Sequence, residues 1–212
     1  KIVLDVTVGS GAFMKDMENA VKLSNEMIKI GKLANRETVC ILTNMDEPLG
    51  NAVGNTLEVI EAVNFLKGNM IEDVKQVVLE LGAYMIKLAG MGNDLEENRN
   101  KMLENIQNGK AYNKFLEMVK NQNGDITFIE DLDKFSIARY IIPVKAIQDG
   151  YVQEINAEKI GRLACSLGAG RVKKEDEIHK EVGIVLEKKV SDKVNIGDVL
   201  AYIHSNDENN IE

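Results

Sequence analysis

The sequence has 212 residues, a length that fits one large domain or two smaller ones. It is 44% hydrophobic and 28% charged, which is ordinary for a globular protein and allows a sizeable core. The net charge of −8 argues against a nucleic-acid-binding face, and no apolar run approaches the roughly 20 residues needed to cross a bilayer. We therefore expect neither nucleic acid nor a membrane as a partner. The basic pairs at Lys173 and Lys174, and at Lys188 and Lys189, are interpreted as solvated surface.

The first part of the chain repeats one order of elements. Residues 2–8 and 38–43 are apolar runs rich in β-branched side chains, which indicates two strands buried on both faces. A glycine-rich loop follows each strand, at residues 9–13 and 44–54, and a helical pattern follows each loop. This order predicts a parallel sheet with crossover helices, and therefore an α/β fold.

Helical patterns continue over residues 70–90 and 95–120, where we predict three helices that cap the sheet. The polar, turn-rich residues 121–135 are interpreted as a linker. We therefore predict that the α/β part ends near a boundary between residues 138 and 139.

The hydrophobic pattern of the sequence changes after residue 139, where apolar residues alternate loosely around turns. A short helix is predicted near residues 157–166, and residues 182–204 indicate three strands separated by turns. We predict an α/β domain over residues 1–138 and a smaller, β-rich α+β domain over residues 139–212.

The loop GSGAF, residues 9–13, follows a strand and precedes a helix, where parallel sheets bind ligands. Its glycines allow close backbone approach, but the full G-x-G-x-x-G spacing and a P-loop lysine are absent. The favoured interpretation is a tight packing turn, with a dinucleotide site as the alternative. On position alone, Phe13 is interpreted as a core residue.

The stretch from Asn44 to Val63 combines a turn, glycines and a helix. Gly50 and Gly54 permit positive φ angles and leave backbone carbonyls free to point into a cavity. Several carbonyls with one carboxylate suit a hard cation, and Glu61 on the following helix is a candidate carboxylate. Spacing alone favours the alternative that Glu61 is a solvated helix acid.

Neither the cysteines nor the histidines form a recognisable catalytic pattern. Cys40 and Cys165 lie far apart in apolar surroundings and are interpreted as buried thiols of a reducing cytoplasm. His179 and His204 have no cysteine or carboxylate at ligand spacing and are interpreted as structural or surface residues. Residues 190–204 have a residue pattern similar to that of biotinyl and lipoyl carrier domains. No lysine follows Ile203 to carry the attached group, so only the fold is expected to be similar.

Three blocks carry a more specific pattern. They are DVTVGSGAFM (5–14), TNMDEPLGNAVGNTLEVIEAV (43–63) and GAGRVKKEDEIHKEVGIVLEKKVSDKVNIGDVLAYIHS (168–205). Together they resemble, in register along nearly the whole chain, the pyrimidine-nucleoside phosphorylase and thymidine phosphorylase family. The resemblance implies a pentosyltransferase that cleaves uridine- or thymidine-type nucleosides with inorganic phosphate, giving free base and a pentose 1-phosphate. It also implies that the second domain has a barrel-sandwich character.

The same resemblance implies site residues. A potassium ion would be held by the carbonyls of Leu49 and Ala52 and by the carboxylate of Glu61. Phe13 matches a position that lines the pyrimidine pocket. Thr7 departs from the family, which usually has a lysine there.

The resemblance further implies that important parts of the enzyme precede Lys1. These are the phosphate-binding segment, the residues that grip the pyrimidine, and an N-terminal helical domain with the homodimer interface. The family also continues beyond the end of this sequence. We therefore expect a C-terminal part of a phosphorylase that is inactive alone. The alternatives are a phosphorylase of nucleoside monophosphates (AMP-type) with the same fold, and a non-catalytic binding module.

Overall fold

The computed structural model of the protein describes residues 1–208. The strands are β1 Ile2–Val8, β2 Thr38–Asn44, β3 Ala52–Val53, β4 Tyr140–Lys145, β5 Gly150–Tyr151, β6 Gly183–Leu186, β7 Lys193–Val194 and β8 Val199–Ser205. The helices are α1 Met17–Leu33, α2 Asn55–Leu66, α3 Glu72–Leu88, α4 Leu95–Gln107, α5 Lys110–Asn121, α6 Thr127–Glu130 and α7 Ala157–Ala164. A 3₁₀-helix at Leu132–Lys134 follows α6, and a π-helical turn at Cys165–Ala169 follows α7.

Strands β1 and β2 pair in parallel, and α1 is the crossover between them. Helix α1 begins at Asp16, whose carboxylate accepts a hydrogen bond of 2.8 Å from the backbone N–H of Asn19. It lies close to β2 at Gly31, where a Cβ would be 2.0 Å from Thr38 Oγ1. The predicted α/β arrangement with a crossover helix is therefore confirmed.

The expectation that both strands are buried on both faces is wrong for the described chain. Val6 is the one fully buried residue of β1, and β2 has none. The physical reason is that this sheet has only two strands within residues 1–208, so both outer edges lack a partner strand.

The three helices α3, α4 and α5 lie where the periodicity predicts them. Asn98 of α4 is fully buried and ties two helices together. Its amide donates to the carbonyl of Ala83 in α3, at 3.2 Å, and to that of Gly92 in the connecting loop, at 3.1 Å. Among residues 1–208, no helix is long and apolar enough to cross a membrane.

The β-rich part is built on an antiparallel sheet in the order β3-β6-β8-β4, with β5 and β7 forming a separate pair. Its core is a cluster of aliphatic residues that lies between this sheet and α7 with the π-helical turn. The fully buried members are Ala138, Leu167, Val182, Ile184 and Leu186. The predicted small β-rich unit is therefore present after residue 139.

Strand β3 belongs to the sheet of the second part although its residues lie in the first. Ala52 and Val53 pair with Val185 and Ile184 of β6. This short edge strand lies inside the stretch interpreted as a loop, and two residues give no periodic signal. The division between residues 138 and 139 stays a prediction, and the sheet crosses it.

Two glycines allow the end of β3 to approach β6 closely. Gly183 has φ of 151°, and a Cβ there would be 2.2 Å from the carbonyl oxygen of Val53. Gly54 has φ of 152°, and a Cβ there would be 2.5 Å from the carbonyl oxygen of Val182. The contact is backbone against backbone, so any side chain at either position must displace the main chain.

The cysteines are free and only partly buried, which corrects the expectation that they are buried thiols. Cys40 lies on β2, where its Sγ donates to the carbonyl of Ser24 at 3.6 Å. Burial raises the pKa of the Cys40 thiol. This thiol is therefore a weak nucleophile.

Candidate functional site

The loop between β2 and α2 forms one wall of a cavity of about 640 Å³. Leu49, Ala52 and Glu61, the three predicted cation ligands, all line this cavity. Most of the remaining wall is apolar and comes from α2, α3 and α5, with Gly11 and Ala157 at one side. The structure therefore brings the three predicted ligands to one place.

Glu61 organises this loop from the adjacent helix α2. Its Oε2 accepts hydrogen bonds of 2.9 Å from the backbone N–H groups of both Asn51 and Ala52. Its Oε1 faces Gly50, which has φ of 71° and where a Cβ would be 2.1 Å from that oxygen. The loop can wrap around the carboxylate because Gly50 has no side chain and tolerates a left-handed backbone.

The Glu61 carboxylate is half-buried, so it is a structural centre of the loop and not a solvated surface acid. Burial raises its pKa above the ordinary 4.5, and the two backbone N–H bonds oppose this shift. Negative charge from Asp73 and Glu58 adds to the increase in pKa. A nearby cation would favour the ionised form.

The two predicted carbonyl ligands are not used by the hydrogen bonds of the described chain. Leu186 N donates to Asn51 O at 2.8 Å, so the next pair, Ala52 with Val185, is a non-hydrogen-bonded pair of the antiparallel ladder. The carbonyl of Ala52 therefore points away from β6, on the side where its own N–H meets Glu61. Within residues 1–208 the carbonyl oxygen of Leu49 accepts no hydrogen bond.

Two unused carbonyls and one carboxylate are hard oxygen donors, and they fit a potassium ion in chemical type. In the described part of the chain, no group of three or more His, Cys, Asp or Glu side chains is arranged to hold a metal. A site on this loop would therefore depend on backbone oxygens as well as on the carboxylate of Glu61.

Side chains that the sequence did not single out also hold the loop. Lys189 donates from Nζ to the carbonyls of Pro48 and Gly50, the second at 2.9 Å. It also lies 3.0 Å from Asp73 Oδ2, which accepts the backbone N–H of Gly50 at 3.1 Å. The interpretation of Lys189 as solvated surface is therefore wrong, since its side chain is only 21% exposed. Its partners are more than a hundred residues away, so spacing carries no signal of the contact.

The loop GSGAF packs on the same region. Ser10 N donates to Asp46 Oδ1 and Ser10 Oγ donates to the carbonyl of Asp46, both at 2.9 Å. Gly11 N donates to the carbonyl of Met45 at 2.9 Å. A Cβ at Gly11 would be 2.7 Å from the Cβ of Ala157, so this glycine lets α7 approach. These contacts favour the packing turn.

Phe13 is not among the residues that line the 640 Å³ cavity. Its side chain is 99% exposed at the tip of the glycine loop. It is therefore not the core residue that its position alone indicated. Its role in a pyrimidine pocket stays a prediction, because the structure brings Leu49, Ala52 and Glu61 together without it.

Neither histidine lines the 640 Å³ cavity. His204 is on β8 opposite Ile141 and Gly183, and burial lowers its pKa, which keeps the imidazole neutral near pH 7. His179 packs against Gly168 in the π-helical turn. The positions of His179 and His204 are therefore those of structural residues.

Known proteins provide an independent comparison. Residues 1–112 match the family described as Glycosyl transferase family, a/b domain, and residues 151–212 match the Pyrimidine nucleoside phosphorylase C-terminal domain. The chain is 48% identical over 208 residues to the pyrimidine-nucleoside phosphorylase of Bacillus subtilis (strain 168), covering 98% of this chain and 48% of the relative. The pyrimidine-nucleoside phosphorylases of Staphylococcus aureus (strain USA300) and Staphylococcus epidermidis (strain ATCC 12228 / FDA PCI 1200) are 47% and 45% identical over 205 residues.

These two Staphylococcus alignments cover 97% of this chain and 47% of each relative. The chain therefore spans about half the length of the curated relatives it matches. The similarity runs through both the α/β part and the β-rich part, as the three sequence blocks predict. The chain belongs to the glycosyl transferase family and, within it, to the pyrimidine-nucleoside phosphorylases.

Proposed function

We propose that this chain is part of an enzyme that cleaves uridine- or thymidine-type nucleosides with inorganic phosphate, releasing the pyrimidine base and a pentose 1-phosphate. The observation that carries the proposal is the Glu61-centred loop beside a largely apolar cavity, in a chain nearly half identical to relatives named for this activity. A phosphate and a nucleoside must meet in a fixed geometry, and a loop held at the cavity wall by Glu61 serves that positioning.

We further propose that this loop binds potassium through the carbonyls of Leu49 and Ala52 and the carboxylate of Glu61. When bound, the ion supplies a fixed positive charge that favours the anionic co-substrate. The residues of the chain hold the loop in the conformation that would bind the ion. Glu61 holds the backbone N–H groups of Asn51 and Ala52, and Gly50 keeps the loop close to the carboxylate.

The whole enzyme is proposed to be a cytoplasmic homodimer, as the resemblance implies. The dimer interface is assigned by that resemblance to an N-terminal helical domain outside these 212 residues. Light scattering of the longer protein and of this chain measures the difference directly. A chain of 212 residues that is itself a stable dimer would contradict the assignment.

The chain alone is expected to release no free base from uridine or thymidine in potassium phosphate. The reason is that the resemblance assigns the residues gripping phosphate and pyrimidine to a segment outside these 212 residues. Adding a separately produced N-terminal half should restore base release, measured by liquid chromatography. AMP is tested in parallel, because its selective cleavage would favour the nucleoside-monophosphate alternative.

The controls for this assay are the N-terminal half alone and the two halves without phosphate. Base release by either control would trace the activity to a contaminant or to simple hydrolysis. Full activity of the 212-residue chain by itself would contradict the proposed division of the site.

Potassium affinity is expected to fall as the pH is lowered. A proton on Glu61 removes the charged ligand, and the raised pKa of this carboxyl places the loss at higher pH than for an exposed glutamate. Without potassium, the free energy of unfolding should instead increase as the pH is lowered. A raised pKa means that the folded state favours the protonated carboxyl, so this contribution is full at low pH and is lost as the pH rises through the folded-state pKa.

Thermal melts in potassium chloride, at about pH 5 and about pH 8, measure both effects. Choline chloride serves as the salt control. The potassium-induced increase in melting temperature should be larger at the higher pH, and Glu61→Gln should remove this pH dependence. An equal increase at both pH values would argue against Glu61 as a ligand.

A further inference from the structure

We infer that Lys189 is a positioning residue that couples the β-rich part of the chain to the cation loop, defined here as residues 47–52. Its ammonium group acts as a built-in cation that fixes one set of loop carbonyls. The potassium part of this inference rests on the proposed function. The positioning part rests on the contacts alone.

The loop contains buried carbonyl groups that require a hydrogen-bond donor, and Lys189 provides it. Pro48 and Gly50 are buried, and a buried carbonyl without a hydrogen-bond partner destabilises the fold. Lys189 Nζ donates to both carbonyls. An ammonium has three donors on a compact head, so two carbonyls and the carboxylate of Asp73, 3.0 Å away, account for all three.

Neighbouring contacts hold the base of this lysine in place. The backbone N–H of Lys189 donates to Asp192 Oδ2 at 2.8 Å, and that of Val190 donates to Glu47 Oε2 at 3.0 Å. Glu47 also lies 3.8 Å from Lys189 Nζ. The turn after β6 is therefore fixed to the first residue of the cation loop as well as to its middle.

The loop is consequently held from two sides. Glu61 binds the N–H groups of Asn51 and Ala52, while Lys189 binds the carbonyls of Pro48 and Gly50. Leu49, whose carbonyl is a proposed potassium ligand, lies between the two carbonyls that Lys189 fixes. Loss of the ammonium should therefore disorder the ligand set without removing any ligand.

Hydrogen exchange of the intact protein tests the positioning role without reference to potassium. We compare wild type, Lys189→Met and Lys188→Met by mass spectrometry of peptides covering residues 47–54. Lys188 is the matched control, because it is the adjacent lysine and its side chain makes no ion pair in residues 1–208. The Lys189 variant should exchange at least about tenfold faster in the loop, and the Lys188 variant at the wild-type rate.

Exchange in helix α4, Leu95–Gln107, is the internal reference for global folding. If Lys189→Met also accelerates α4, the milder Lys189→Gln is used, which removes the positive charge and keeps a polar side chain. Faster loop exchange in that variant supports the inference, and a wild-type rate overturns it. Unchanged loop exchange in Lys189→Met overturns it as well.

A potassium titration of the same variants tests the coupling. Lys189→Met should raise the potassium concentration for half-maximal thermal stabilisation at least about fivefold, and Lys189→Arg should restore part of the loss. An unchanged or lower concentration in Lys189→Met would overturn the coupling. If wild type itself shows no potassium response, the proposed cation site fails, while the exchange result still decides the positioning role.

Discussion

Replacing Glu61 with Gln is expected to remove most of the proposed potassium response of the proposed phosphorolysis while the loop stays folded. Glutamine has the same size, and its side-chain oxygen can still accept the N–H groups of Asn51 and Ala52. It lacks the charge that a cation requires. The half-saturating potassium concentration should rise at least about 30-fold, the difference between a charged and a neutral oxygen donor.

The measurement is the rate of base release in the complete enzyme as potassium replaces choline at constant ionic strength. Glu72→Gln is the matched control. Glu72 is an exposed glutamate at the start of α3 whose carboxylate accepts hydrogen bonds from Lys75 and Gln76, and it does not line the cavity. An identical potassium response in Glu61→Gln and wild type would remove Glu61 from the ligand set.

Gly183→Ala is expected to have the largest effect on stability, lowering the free energy of unfolding by more than about 3 kcal/mol. The added Cβ would lie 2.2 Å from the carbonyl oxygen of Val53 and 3.0 Å from the Cα of Gly54. Both are main-chain atoms, so no side-chain rotation can relieve the overlap. The positive φ adds further strain for any L side chain.

Gly197→Ala separates the two causes. Gly197 also has a positive φ, 90°, but a Cβ there would meet nothing within 4 Å. Urea denaturation should give a loss of only about 1–2 kcal/mol for this control, which is the cost of the left-handed backbone alone. Equal losses in the two variants would show that the overlap with the main chain of β3 adds no cost, and would contradict the prediction.

Much of the fold follows from patterns within short windows of sequence. Helices α1 to α5 have apolar residues at helical spacing, and β1, β2 and β8 have apolar, β-branched runs, so each element is predicted close to its observed position. Strand β3 is not predicted, because two residues at a sheet edge contain no period. Its place is determined by β6, more than a hundred residues away.

In the candidate site, too, some residues are predicted from the sequence and others depend on contacts between distant segments. The resemblance indicated Leu49, Ala52 and Glu61, and all three line one cavity. Lys189 was missed because a lysine within a charged turn has the composition of solvated surface. Only the buried carbonyls of Pro48 and Gly50, which need a donor, identify its role. The carbonyl acceptors and the lysine donor lie in distant segments of the sequence, so their pairing is seen only in the three-dimensional structure.

The edge strand β3 has a consequence for how this protein can be recombined with its relatives. Its residues lie far before the β-rich part in sequence, yet they form an edge strand of that part's sheet within residues 1–208. A chimaera that exchanges residues 139–212 with a relative would therefore pair a foreign β6 with the native β3. The unit that can be exchanged between relatives is the C-terminal segment together with residues 47–54, two pieces of chain that must be transplanted as one.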